Sequence, residues 1–216
     1  MSLFNSAFYD FDIHPDGSSI TELAFEAKRL GYSGIAVTNS TIPDKEALPE
    51  NFSIHRCVEL SGRRIREEIK IHKETDILIA IGGDETLNRA AVETEGLDIL
   101  MQPAQFNNVL AKAALDNSIA IGFNLGSLIH FRGEAHVREL LLMKKNLKHA
   151  RKYHLSMILT SSAHSIYDLR SPRELAALGG LFGMTEEDAF GAMSAAPLTI
   201  LRRKSPEYVQ EGVEIL

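Results

Sequence analysis

Ile77-Leu78-Ile79-Ala80-Ile81-Gly82-Gly83-Asp84-Glu85-Thr86-Leu87-Asn88-Arg89-Ala90-Ala91-Val92 is the stretch from which the fold can be read. Five apolar residues without alternation predict a strand covered on both faces, as a parallel sheet requires. Gly82 and Gly83 turn the chain, and Asp84 supplies an N-cap for a helix predicted to end near Gly96. Similar apolar runs predict further strands at Phe8–Ile13, Gly34–Thr38, Phe52–Glu59, Ile99–Gln102, Ile119–Asn124 and Met157–Thr160.

The helices between these runs carry their own punctuation. Ser19 and Glu22 form a capping box before the apolar stripe Ile20, Leu23, Ala24, Ala27 and Leu30, and Gly31 stops that helix. Phe106, Val109, Leu110, Ala113 and Ala114 are expected to line another. Ser171, Pro172 and Glu174 combine a cap, a pre-set first-turn φ and a capping partner. Thr185 opens one more helix with no strand before it. About seven to eight strand–helix units without a linker predict a TIM-like (β/α) barrel, incomplete or distorted. The eighth strand is missing unless Pro197 to Leu201 supplies it. A doubly wound open sheet is the runner-up, because periodicity does not separate the two. A single domain is expected over residues 1–205, with a C-terminal tail at 206–216 whose order the sequence leaves open.

Composition narrows the function classes. The 216 residues are 44% hydrophobic, enough for a sizeable core, and no run has the length of a membrane span. The start of the chain lacks the cationic and apolar segments of an export signal, so a cytoplasmic protein is expected. One cysteine, Cys57, makes neither an internal disulfide nor a zinc site. A net charge of −6 argues against gripping nucleic acid over the whole surface and leaves room for a local basic patch.

Strand ends are where either fold places a site. They offer Asp12 and His14, Asn39 and Ser40, Glu59, the Gly82–Glu85 turn, Gln102, Asn124 and the Ser161–Ser165 loop with His164. Asp12 and His14, two apart, project to one side and can reach one cation, or hydrogen-bond across the mouth. Gly82 and Gly83 can cradle phosphate at a helix start, or simply turn the chain. No Gly-Lys-Ser/Thr element or GxGxxG supports the former. No Gly-x-Ser-x-Gly elbow presents a serine to His164.

The cations fall into two kinds. Lys144, Lys145, Lys148, Arg151 and Lys152 recur at helical spacing, as on a solvated face, and Arg63, Arg64 and Arg66 stand beside Glu67 and Glu68, as in intrahelical ion pairs. Arg89, Arg132, Arg170, Arg173 and the run Arg202-Arg203-Lys204 are less easily absorbed by ion pairing. A guanidinium fork matches phosphate bidentately, which makes a phosphate backbone a reasonable partner. Without an aromatic-rich sheet face, the expected recognition is of shape and backbone.

Three segments then carry a family resemblance over nearly the whole chain. They are Phe8-Tyr9-Asp10-Phe11-Asp12 through Gly31-Tyr32-Ser33-Gly34-Ile35-Ala36-Val37-Thr38-Asn39, the Gly82–Glu93 stretch, and Ser162-Ala163-His164-Ser165-Ile166-Tyr167-Asp168-Leu169-Arg170-Ser171-Pro172-Arg173-Glu174. Together they resemble the protein component 3 family of archaeal ribonuclease P, barrel-shaped subunits shared with the eukaryotic enzyme. The same segments look like a worn polymerase-and-histidinol-phosphatase barrel, a metallo-phosphoesterase family. Relative to that pattern, Asp12 replaces a histidine, Asn39-Ser40 an Asp-His pair and Ser162 an aspartate, while Glu59 and His164 survive.

The resemblance implies a protein subunit of ribonuclease P, which removes the 5′ leader of precursor tRNA. In this family an RNA subunit performs the cleavage with its own metal ions, expected to be Mg²⁺. The implied partners are that RNA, precursor tRNA through the holoenzyme, a small α/β protein subunit and two further proteins. The chain itself is expected to be non-catalytic and to bind no cofactor or metal, with Asp12, His14, Glu59 and His164 a vestigial site. Its RNA-contact candidates are Arg89, Arg132, Arg170 and Arg173, then Arg63, Lys144, Lys148 and Arg202. The alternative is a stand-alone metal-dependent phosphoesterase using the four residues at the mouth.

Overall fold

The computed structural model describes residues 7–205, 208–210 and 213–214. Seven strands pair in parallel and in chain order: β1 (Tyr9–Ile13), β2 (Gly34–Thr38), β3 (Ser53–Leu60), β4 (Ile77–Ile81), β5 (Ile99–Met101), β6 (Ala120–Asn124) and β7 (Met157–Thr160). The helices are α1 (Ile20–Leu30), α2 (Ile65–His72), α3 (Glu85–Val92), α4 (Asn108–Asp116), α5 (Gly126–His130), α6 (Gly133–Tyr153), α7 (Pro172–Gly180), α8 (Glu186–Met193) and α9 (Ala195–Arg203). β8 (Tyr208–Gln210) and β9 (Val213–Glu214) pair antiparallel within the expected tail, whose other residues lie outside those described.

The unbroken apolar strands are explained by two separate cores. Phe11, Ala36, Cys57, Ile77, Ile79, Ile99, Met101, Ala120 and Ile158 fill the barrel interior. Leu78, Ala80, Leu100, Ile121, Phe123 and Leu159 pack outward beneath the helices. Alternate residues of each strand therefore find apolar partners on both sides. Cys57 is a small buried side chain of the inner core.

The barrel lacks a ladder between β7 and β1, leaving one seam. Side chains cross it instead. Thr160 Oγ1 donates to the Phe11 carbonyl, and Asp10 accepts from Ser161 N at 3.1 Å and Ser161 Oγ at 2.5 Å. Phe190 of α8 meets Phe8 with ring centroids 5.6 Å apart, on the outside of the same seam.

The expected caps of α1 and α7 form as reciprocal capping boxes, and Gly31 ends α1 at a φ of 99°. Four expectations are corrected. Pro197–Leu201 is not an eighth strand but part of α9. Its proline fits the first turn of a helix and cannot donate to a ladder. Ile200 points into the inner core, while Lys204 pairs with Asp98 at 3.2 Å and Arg203 donates to the Ser118 carbonyl at 2.8 Å. Asp98 and Ser118 precede β5 and β6, so α9 closes the end of the barrel opposite the mouth. The helix after Asp84 ends at Val92, since Thr94 turns back on Ala91 and Ala90. Val109 is 60% exposed, because α4 buries Leu110, Ala111 and Ala114. Between β2 and β3 the crossover holds only a 3₁₀ turn, Lys45–Ala47, flanked by Pro43 and Pro49.

Candidate functional site

The mouth is built where the strands end. Asp12, Asn39, Gln102 and Ser162, from β1 and the ends of β2, β5 and β7, all have φ between 46° and 69°. Left-handed backbone at non-glycine residues costs free energy and clusters where side chains are re-aimed. At Asp12 the effect is visible: the register with β2 shifts between Asp10 and Ile13, Phe11 faces the inner core and Ile13 the outer one. The bulge thus turns Phe11 and Asp12 to the same side.

Asp12 is buried, accepting from Thr38 Oγ1 and from Ser162 Oγ, each at 3.1 Å. His14 Nε2 lies 3.2 Å from Asp12 Oδ1 and 3.7 Å from Glu59 Oε2. Burial of the His14 ring pulls its pKa down, but the Asp12 hydrogen bond and the charges of Asp12, Glu59 and Asp16 outweigh it, leaving the pKa raised. Desolvation, then the Asp12 charge, raises that of Glu59. The two carboxyls on either side of His14 thus favour its cationic form.

One ligand atom each from Asp12, His14 and Glu59 lies within 4.8 Å of the others, so these three fit a single divalent cation. His164 is not among the converging donors. Its ring stacks on His14, 4.7 Å between centroids, and its Nδ1 lies 2.9 Å from Asp16. Asn39 does other work, its Oδ1 accepting from Glu59 N at 3.2 Å. Gln102 and Asn124 likewise tie strand ends together, Gln102 Oε1 accepting from Asn124 N at 2.8 Å. Two-metal hydrolysis needs more ligands than converge here.

The Gly82–Gly83 turn is accounted for by packing. A Cβ on Gly82 would stand 2.4 Å from Pro103 Cα, and its N–H already bonds Met101 O. The Gly83 N–H donates to buried Asn88 at 2.8 Å, and Asp84 caps Leu87 N. Those amides are already engaged, which removes the phosphate cradle.

The cations do not converge on one surface. Arg63, Arg132, Arg170 and Arg173 lie on the mouth side, in or beside the segments that follow β3, β6 and β7. Arg89 lies on the flank in the last turn of α3, with Glu85 at 2.8 Å and Glu93 at 3.8 Å. Lys144, Lys145 and Lys148 are exposed along α6, and Arg202, on α9, belongs to the opposite end. Arg66 reaches across to Glu93 of α3 at 2.8 Å, so its ion pair is not intrahelical. Sequence reasoning missed Asp10, whose only signal was a second aspartate in an apolar strand. It also passed over Tyr167, which is 81% exposed.

Among the described residues no helix is long and apolar enough to cross a membrane. The sequence model of the family described as RNase P subunit p30 matches residues 7–207. The chain is 42% identical to ribonuclease P protein component 3 of Methanosarcina mazei, over 97% of this chain and 95% of that protein. It is 33% identical to the protein of that name from Methanothermobacter thermautotrophicus, with the same coverage. Among solved structures, a chain of archaeal ribonuclease P with mature tRNA superposes with a TM-score of 0.79 at 24% identity, covering 95% of this chain and 97% of that one. Aspergillus niger ochratoxinase gives 0.63 at 13% identity, covering 97% of this chain and 75% of that one, a likeness of fold alone. A barrel with one unsealed seam, matched along almost its entire length, belongs to the ribonuclease P subunit p30 family.

Proposed function

We propose that this chain, a protein subunit of the ribonuclease P that removes the 5′ leader of precursor tRNA, binds and supports the catalytic RNA and does not cleave by itself. The observation that carries the reading is the family match over residues 7–207. The mouth supports it: among the described residues three donors converge, His14 Nε2 lying 3.2 Å from Asp12 and 3.7 Å from Glu59. Cleavage then rests on Mg²⁺ held by the RNA, and this chain supplies no cofactor. The partners in this reading are the ribonuclease P RNA, precursor tRNA, a small α/β protein subunit and two further subunits. Arginines at the mouth, Arg132, Arg170 and Arg173 foremost, contact phosphates.

Reconstitution tests it. Ribonuclease P RNA with the other protein subunits is assayed for precursor cleavage with and without this chain. Addition of the chain is expected to raise the rate, and the chain with Mn²⁺ or Mg²⁺ alone is expected to leave the precursor intact. Cleavage by the chain without RNA would instead establish the stand-alone phosphoesterase.

A further inference from the structure

Tyr167 is the most exposed large apolar side chain of the described residues, at 81%, yet its loop is tied down from several directions. Asp168 Oδ2 accepts from Ser165 N at 2.9 Å, Ser165 Oγ at 2.8 Å and His164 N at 3.3 Å. Ile166 N donates to Ser18 Oγ at 3.2 Å. Asp168 Oδ1 lies 3.5 Å from His130 Nε2, which joins this loop to the one between α5 and α6. The link sets the segment that carries Phe131, 42% exposed, and Arg132 against the loop that carries Tyr167 and Arg170. An aromatic ring held out on a locked loop adds little to the core, and its ordering is already spent before any ligand arrives.

The two arginines are prepared in the same manner. Arg170 Nη1 donates to the carbonyls of Tyr167 and Leu169, both at 2.7 Å. Arg132 Nη1 donates to the carbonyls of Ile129 and Phe131, the latter at 2.9 Å. Each guanidinium is thus anchored through one nitrogen, with its remaining donors unengaged among the described residues. Arg173 follows on the first turn of α7. The acidic neighbours have partners of their own: Asp168 in the loop, Glu134 in Arg138 at 3.4 Å, and Glu174 in Ser171, whose hydrogen bonds lower its pKa ahead of any effect of Arg170. On a chain of net charge −6 this is a local cationic patch around an exposed ring.

We propose that this rim patch binds an unpaired nucleotide of the ribonuclease P RNA, its base stacked on Tyr167 and adjacent phosphates held by Arg132 and Arg170. The proposal rests on the reading that the chain supports that RNA. It adds that recognition includes a single-stranded base as well as backbone. Every base has a π-face, so the stack selects for unpaired RNA without selecting sequence.

The chain contains no tryptophan, so Tyr167→Trp installs one indole as a reporter. Its fluorescence is titrated with ribonuclease P RNA, with a single-stranded oligonucleotide and with a blunt duplex of equal length. The measurement is made on the full chain alone and in complex with the other protein subunits. Quenching is expected with the RNA and the single strand and not with the duplex. Tyr167→Ala is expected to weaken RNA binding about tenfold while Tyr167→Phe retains it. No quenching by ribonuclease P RNA in either setting overturns the proposal, as does equal affinity of the alanine variant. Quenching by the protein subunits without RNA also overturns it and makes the ring a protein contact. If the wild-type chain still stimulates precursor cleavage in those cases, the broader function stands and only this site falls.

Discussion

Asp10 is a fully buried carboxyl, and its surroundings decide its charge. Desolvation dominates and pushes its pKa up to about 6, against the lowering effect of its hydrogen bonds to Ser161 and Thr160. The folded state therefore holds a proton that the unfolded chain releases near pH 4. Stability from this group is fully present below the unfolded value and is lost as pH rises through about 6. The linkage amounts to at most about 3 kcal/mol. Asp10→Asn removes the titration while keeping an oxygen for Ser161 N. Between pH 7.5 and pH 5 the wild type is expected to gain thermal stability relative to the variant. Parallel shifts in the two melting curves would show that Asp10 carries no such proton.

At the scale of the element, α9 shows how a helix can close one end of a barrel. Its Ala196 and Ile200 fall one helical turn apart and reach the inner core, and Arg203 and Lys204 cap the chain just before β4 to β6. Buried apolar contact there closes the end of the barrel that a shortened sheet leaves open. Ile200→Ala is expected to cost about 2–4 kcal/mol, read from the urea midpoint at constant m-value. A cost near zero would mean the helix rests on the barrel without plugging it. Lys144, Lys145 and Lys148 are exposed along α6, an arrangement open to solvent and to a phosphate backbone alike.

For the whole molecule, the distribution of charge matters more than its sum. The chain is acidic overall, and its mouth-side arginines come from segments far apart in sequence. If RNA covers that rim, each neutralised phosphate adds about one unit to the slope of log affinity against log salt. Arg173→Ala is expected to lower the slope of ribonuclease P RNA binding by about one unit. Arg202→Ala, at the far end of the barrel, is expected to leave it unchanged. An unaltered slope for Arg173→Ala removes that residue from the footprint.

The chain's own letters determined the strand–helix alternation, the caps at Ser19 and Ser171, the stop at Gly31 and the family, because these depend on neighbours within a few residues. They also placed Asp12, His14 and Glu59 at strand ends, since strand ends in a parallel barrel share one face. The seam carried by Asp10, the stacking of His164 on His14, the plug role of Ile200 and the pairing of Asp168 in the Tyr167 loop with His130 came only from the tertiary structure. Each joins residues separated by tens to more than a hundred positions. Local periodicity records which face of an element is buried; what lies against that face is settled only when the barrel closes.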